Sequence, residues 1–185
     1  MSNSFPQLGL SLIDIFFSFI IFVFTLRLLM SFFSTSAYNP ITQSLIKISR
    51  PILVFFFFIP NLNKFELSSL FVIFLSHFLN FFIQSSLRGV DIFIEPIIIF
   101  AIKSSIFSIL NVLSIIFIIL ALSSWFVQSS QSNRNPALDI IYQISTPILF
   151  FIKRLVPTSI GVIDFSVIIV LVLIIFIKNI VNIIL

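Results

Sequence analysis

Four apolar stretches, each long enough to cross a lipid bilayer as a helix, dominate the sequence. A helix rises about 1.5 Å per residue, so about 20 residues cross a hydrocarbon core of ~30 Å. The stretches run over about Leu8–Phe33, Leu67–Gln84, the interior of Ser104–Val127, and from Ile163 to the C-terminus. Only 9% of the residues are charged, whereas a soluble domain carries roughly 25%. The sequence therefore predicts an all-helical integral membrane protein with four transmembrane helices.

Three further apolar segments are too short to span a bilayer. Ile52–Ile59 has eight residues, and Ile148–Val156 is interrupted by two basic residues. Ile92–Ile102 contains a Glu-Pro pair, which predicts an interfacial lead-in to the third span. A fifth span through Ile92–Ser108 is the alternative.

Lys and Arg in the short connections predict the orientation. The first and third connections carry six of them: Lys47, Arg50, Lys64, Arg134, Lys153 and Arg154. The opposite side carries three, Arg88, Lys103 and Lys178, of which Lys178 is close enough to the C-terminus to snorkel. We expect the two long connections in the cytoplasm, both termini outside, and a multi-pass protein of the cytoplasmic (inner) membrane. The first eight residues lack Lys and Arg, so we expect the first span to be retained rather than cleaved as a signal.

The two halves of the sequence resemble each other. Asn39-Pro40 and Asn135-Pro136 are 96 residues apart, as are Pro51 and Pro147. Pro60 and Pro157 follow, and then the acid-x-Ser segments that begin at Glu66 and Asp164. This pattern predicts two units, residues 1–88 and 89–185, each built as a span, a long connection and a span. An even number of spans per unit makes the repeats parallel, related by an axis along the membrane normal.

Each long connection is predicted to contain an amphipathic helix. Asn39 is a good N-cap, and Pro40 suits the first helical position. Apolar residues then recur at helical spacing, at Ile41, Leu45, Ile48 and Ile52 in the first unit and at Ala137, Ile141, Ile144 and Ile148 in the second. Pro51 and Pro147 are expected to end or kink these helices. Such a helix lies in the headgroup plane or, as the alternative, packs on the protein's own bundle.

These residues resemble the YggT family of small bacterial membrane proteins, which has relatives in plastids. The similarity rests on the doubled Asn-Pro, the prolines that follow, and the Asp-Phe-Ser that enters the last span. Arg27 fits the family's arginine, and Ser31-Phe32-Phe33 and Ser124-Trp125-Phe126 fit its span ends. The resemblance implies an envelope factor linked to osmotic or ionic tolerance in bacteria, and to complex assembly or division in plastids. It implies no enzyme activity, cofactor or catalytic residue.

The second span carries a stripe of polar residues. Ser69, His77, Asn80 and Gln84 follow each other at intervals of eight, three and four residues, which places them on one helical face. One hypothesis is a polar path or ion-coordinating face for a small-ion or solute channel or transporter. The other is interhelical hydrogen bonding, worth about 0.6 kcal/mol per bond. The fourth span has no matching polar centre, which favours hydrogen bonding.

Charged residues near the ends of the first span have simpler expected roles. Arg27 is expected to snorkel to the cytoplasmic headgroups or to bond the carbonyls of the first connection. Asp14 is expected near a helix start, where a carboxylate meets the positive end of the helix dipole. With Arg27, the basic residues Lys47, Arg50, Lys153 and Arg154 form a face predicted to bind anionic lipid headgroups or an acidic partner.

The residue inventory excludes several classes of function. The chain has no Cys, one His and three Gly, so thiolate metal sites, paired-histidine zinc sites and glycine-rich phosphate loops are excluded. The net charge of +4 is spread thinly between apolar runs, which favours lipid headgroups over nucleic acid. We therefore expect a non-enzymatic membrane scaffold or assembly factor without cofactor or metal. A membrane-protein partner and a homo-oligomer remain open.

Overall fold

The computed structural model describes residues 4–90, 93–126, 135–155, 159–160 and 163–185. The helices are α1 (Ser4–Phe32), α2 (Pro40–Leu53), α3 (Leu67–Leu87), α4 (Ile94–Phe126), α5 (Pro136–Leu155) and α6 (Ser166–Ile184). A single 3-10 turn, Val54–Phe56, follows α2. Two two-residue strands, β1 (Ser159–Ile160) and β2 (Ile163–Asp164), pair antiparallel before α6. The fold is all-helical, as predicted.

Four of the described helices, α1, α3, α4 and α6, are long and apolar enough to cross a membrane. Helix α1 packs on α3 and α4, and α4 also packs on α5 and α6. Fully buried side chains at the centre include Phe24, Ile73 and Phe117. Helix α6 buries only one narrow ridge, Ser166, Val170 and Ile174, at intervals of four residues. Val167, Ile169 and Leu171 are partly buried against the core. The exposed side chains, such as Ile168, Val172 and Ile175, are left for lipid, which is as apolar as they are.

The third span is longer than predicted. Helix α4 runs without interruption from Ile94 to Phe126, 33 residues or about 50 Å. Ile94–Phe126 forms one helix, so the alternative of a separate fifth span through Ile92–Ser108 is wrong, and the interfacial position of the first turns stays a prediction. The Glu-Pro pair lies in the first turn of the helix, where a proline removes no intrahelical hydrogen bond. Buried Ile97 and Ala101 pack these first turns against the protein.

Helices α2 and α5 both continue past their internal prolines. Helix α2 extends two residues beyond Pro51 to Leu53, and α5 extends eight residues beyond Pro147 to Leu155. Of the two expected effects of Pro147, ending the helix is thus wrong, and a kink stays a prediction. A proline removes one N–H donor. Buried Ile144 and Ile152 pack the helix on both sides of that gap.

Two membrane helices end in the same left-handed turn. After α1, the N–H of Ser34 bonds Ser31 and that of Thr35 bonds Met30, with Ser34 at φ +52°. After α3, Gly89 has φ +65° and the same pair of hydrogen bonds closes the helix. This is the Schellman arrangement, which satisfies carbonyls that the helix end would leave unpaired. Ser34 adopts at some cost a conformation that glycine adopts freely.

Candidate functional site

A buried ion pair joins the first span to the start of the second. The guanidinium of Arg27 donates to Glu66 through Nε, at 3.1 and 2.9 Å, and through Nη2, at 2.7 Å. Its Nη1 donates to the hydroxyl of Ser49 on α2, and Ser69 on α3 donates to Glu66 Oε2 at 2.6 Å. The side chains of Arg27 and Glu66 are only 18% and 10% exposed. Three helices therefore meet at one charged cluster.

The local chain explains how the cluster forms. Glu66 directly precedes α3, so its carboxylate lies at a helix N-terminus, where negative charge is favoured. Ser69 lies three residues later, in the first turn, within reach of that carboxylate. A tight turn, in which Leu62 and Phe65 exchange two backbone hydrogen bonds, delivers the chain to Glu66. Ser49 is fully buried and also bonds the carbonyl of Leu45, so α2 presents its hydroxyl to the guanidinium.

A partly open cavity of about 200 Å³ lies beside this cluster. It is lined by the end of α1, the turn that follows it, the first half of α2, and Glu66. Thr42 lines the cavity, and its hydroxyl has no hydrogen-bond partner among the described residues, although Thr42 is only 6% exposed. The cavity thus combines a charged wall with a buried, unsatisfied polar group.

The two long connections are bonded to each other. Asn39 caps α2, accepting from the N–H of Ile41 at 2.9 Å, and donates to the carbonyl of Pro136 at 2.8 Å. The N–H of Ser36 donates to Gln143 on α5 at 2.6 Å. Asn135 caps α5 in the same way as Asn39 caps α2, accepting from Ala137 at 3.0 Å. The predicted cap Asn39 is confirmed, and the structure adds Asn135 as the equivalent cap of α5. The two connections lie on one side of the bundle, here called the connection side.

Comparisons with known proteins identify the family of this chain. The family model for CCB3/YggT matches residues 7–87 and 99–185, which together are most of the chain. The chain belongs to the CCB3/YggT family. An uncharacterized protein of Haemophilus influenzae is 30% identical over 168 residues, which covers 85% of this chain and 82% of that relative. No solved structure matches. CCB3/YggT is not a known enzyme family.

In this CCB3/YggT chain, the polar stripe on α3 divides among three neighbours. Ser69 belongs to the ion-pair cluster, and His77 Nε2 bonds Ser108 on α4 at 2.8 Å. Asn80 donates to Asp14 on α1 at 2.9 Å, and Gln84 donates to Asn80 at 3.0 Å. The structure therefore brings Asn80 and Gln84 together, whereas His77 and Ser69 each bond a different group.

Two charged residues occupy positions other than those expected. Asp14 is ten residues inside α1 rather than at its start, because the helix already begins at Ser4. Its carboxylate is held by amide groups of α3, not by the helix dipole. Lys178 donates to Ser114 within α4 at 3.2 Å, so it hydrogen-bonds inside the protein rather than only snorkelling to the end of its helix. Helix packing brings partners to both side chains.

The basic residues of the long connections and Pro60 lie on or near the connection side. Lys47, Arg50, Lys153 and Arg154 are exposed, whereas Arg27 is turned inward. Pro60 is exposed between α2 and α3. Pro157 lies outside the described residues, and the side chain of Asp164 is likewise outside what the structure describes. The predicted division into repeats at residues 1–88 and 89–185 stays a prediction.

Sequence reasoning missed the partners of Arg27. The described bonds of Arg27 go to a carboxylate and a hydroxyl, not to backbone carbonyls of the first connection. Ser49 and Thr42 carried no sequence signal beyond their place among apolar neighbours. Glu66 did carry one, because an acid directly before an apolar span needs a partner if it is buried. A buried Glu66 predicts a basic partner at a similar depth in the membrane. Arg27 is the basic residue that the first span contains.

Proposed function

We propose that this CCB3/YggT protein is a non-enzymatic scaffold or assembly factor of the cytoplasmic membrane, whose connection side docks partner membrane proteins. The observation that carries the proposal is the direct bonding of the two connections, from Asn39 to Pro136 and from Ser36 to Gln143. Flexible connections would lose conformational entropy when a partner bound. A preorganised surface avoids that cost.

The Arg27 cluster adds to this preorganisation. It ties α2, through Ser49, to the ends of α1 and α3, which are membrane helices. Hydrogen bonds to charged groups contribute about 1.5–3 kcal/mol each, more than neutral ones. We interpret the cluster as the anchor that holds the first connection in place, rather than as reactive chemistry.

The surface chemistry of the connection side suits both a membrane surface and a protein partner. The exposed basic residues Lys47, Arg50, Lys153 and Arg154 favour anionic lipid headgroups at about 1 kcal/mol per charge. Exposed aromatic side chains are interspersed with them: Tyr38, Phe55, Phe57, Phe58, Phe150 and Phe151. Aromatic residues are enriched where protein surfaces meet. The proposed partner is therefore a membrane protein with acidic and apolar groups near the cytoplasmic headgroups.

The experiment compares two sets of substitutions in cells that lack the native protein. In the first, Lys47, Arg50, Lys153 and Arg154 are changed to Glu. The control changes His77, Asn80 and Gln84 to Leu. We expect the first variant to insert normally, to crosslink to no partner, and to fail to support growth at high osmolarity or salt. We expect the control variant to crosslink to the partner and to support growth. An inserted first variant that keeps the partner and the growth would contradict the proposal.

A second candidate, small-ion or solute transport, is favoured by one hydrogen-bond ladder. Arg88, exposed at the end of α3, donates to Gln84, which donates to Asn80, which donates to Asp14. The ladder thus leads from a helix end toward the interior of the first span. Ion flux into proteoliposomes that contain the purified protein is the test. Flux that is lost when His77, Asn80 and Gln84 become Leu would favour transport, and its absence from the folded parent would leave the scaffold.

A further inference from the structure

In the cavity beside the Arg27 cluster, the acceptor positions of Glu66 are largely used by the cluster itself, whereas Arg27 has N–H donors that no described group accepts. Three protons already bond the carboxylate of Glu66: the N–H on Arg27 Nε is shared between both oxygens, one on Nη2 bonds Oε1, and the hydroxyl of Ser69 bonds Oε2. A carboxylate has about four acceptor positions, so most of those of Glu66 are occupied. A ligand in the cavity therefore meets Glu66 as a neutralised group.

Arg27, in contrast, has donors to spare. A guanidinium has about five N–H groups in a planar fork. The bonds to Glu66 and Ser49 occupy the one on Nε, one on Nη1 and one on Nη2, which leaves a second N–H on each terminal nitrogen. Arg27 also lines the cavity. Paired N–H groups of arginine are the donors that bind planar carboxylates and phosphate oxygens.

Thr42 supplies an independent indication of a ligand. Thr42 lines the cavity, and its buried hydroxyl is unpartnered among the described residues, while the residue is only 6% exposed. A buried hydroxyl without a partner costs roughly 1–3 kcal/mol. In α5, the residue at the same distance from the capping asparagine is Leu138, which packs against the apolar core. The corresponding position of α5 thus holds an apolar side chain and carries no comparable hydroxyl.

We infer that this cavity is a binding site for a phosphate-type oxyanion, held by the free N–H groups of Arg27 and the hydroxyl of Thr42. The cavity lies at the end of the first membrane helix, where phospholipid headgroups are the abundant source of such oxygens. Exposed Lys47 and Arg50 on the same connection raise the local concentration of anions. A lipid headgroup and a free phosphate offer the same chemistry, and the experiment separates them.

The test uses the purified full-length chain in detergent. Native mass spectrometry measures binding of phosphatidylglycerol against diacylglycerol, which lacks the phosphate. Calorimetry measures binding of inorganic phosphate. The test variant is Thr42→Val, which removes the hydroxyl at nearly constant volume and, because that hydroxyl is unpaired, preserves stability. The matched control is Thr146→Val on α5, whose hydroxyl bonds the carbonyl of Tyr142.

We expect phosphatidylglycerol to bind the parent more tightly than diacylglycerol, and Thr42→Val to weaken that binding about tenfold, or ~1.4 kcal/mol. Thr146→Val should bind like the parent. Binding of inorganic phosphate alone, with the same loss in Thr42→Val, would support the site with a soluble ligand. Equal binding of both lipids together with no binding of inorganic phosphate, or a folded Thr42→Val that binds like the parent, would overturn the inference.

Discussion

Breaking the Arg27–Glu66 pair should destabilise the protein far more than removing it altogether. With Glu66→Leu, the Arg27 guanidinium keeps only Ser49 as a partner, and with Arg27→Met, the Glu66 carboxylate keeps only Ser69. An uncompensated buried charge costs about 3–5 kcal/mol. Both side chains are less than one-fifth exposed, so solvent screens this cost little. The double variant leaves Ser69 without its acceptor, at about 1–3 kcal/mol, while Ser49 loses its donor but keeps its bond to the carbonyl of Leu45.

The coupling free energy between the two sites should therefore be about 3 kcal/mol or more, since the single costs sum to roughly 6–10 kcal/mol and the double cost is much smaller. Pulse proteolysis across a series of SDS mole fractions measures the free energy of unfolding for the parent, both single variants and the double variant. Lys47→Met, at an exposed position, is the matched control and should change stability by less than about 0.5 kcal/mol. Single costs below about 1 kcal/mol, or single costs that add to the double, would refute the buried-pair argument.

Three further predictions follow from local geometry and use the same unfolding assay. Positive φ favours glycine at both Ser34 and Gly89, so Ser34→Gly should stabilise the protein by about 1 kcal/mol and Gly89→Ala should destabilise it by a similar amount. A destabilising Ser34→Gly or a stabilising Gly89→Ala would contradict this. Asn39→Ala should cost about 2 kcal/mol, since it removes a cap and the bond to α5, whereas Asn135→Ala should cost about 1 kcal/mol for the cap alone. Equal losses would show that the bond between the connections contributes nothing. His77→Leu should cost only about 0.6 kcal/mol, the average for one interhelical hydrogen bond in a membrane, and a loss above 3 kcal/mol would indicate a larger role for this side chain.

Local features of the chain were predictable because they depend on neighbours in sequence. Hydropathy located α1, α3 and α6 closely, since the bilayer selects any apolar run of about 20 residues as a helix. The caps Asn39 and Asn135 also depend on sequence neighbours, because a capping side chain bonds the backbone N–H two residues later. The start of α4 was not predictable from hydropathy. The Glu-Pro pair interrupts the apolar pattern, but it does not prevent a helix from starting there.

The candidate site depended on contacts that no local pattern contains. Arg27 and Glu66 are 39 residues apart, and Asp14 and Asn80 are 66 apart. Which side chains meet depends on how each helix is rotated about its axis and how deeply it sits against its neighbours, and hydropathy is nearly blind to both. The sequence by itself determined that this is a four-span helical membrane protein with capped connections. Only the packing of α1, α2 and α3 decided that Arg27, Glu66 and Thr42 would line one cavity. The physical reason is that contacts between helices depend on how the helices are placed relative to each other, not on the composition of each helix.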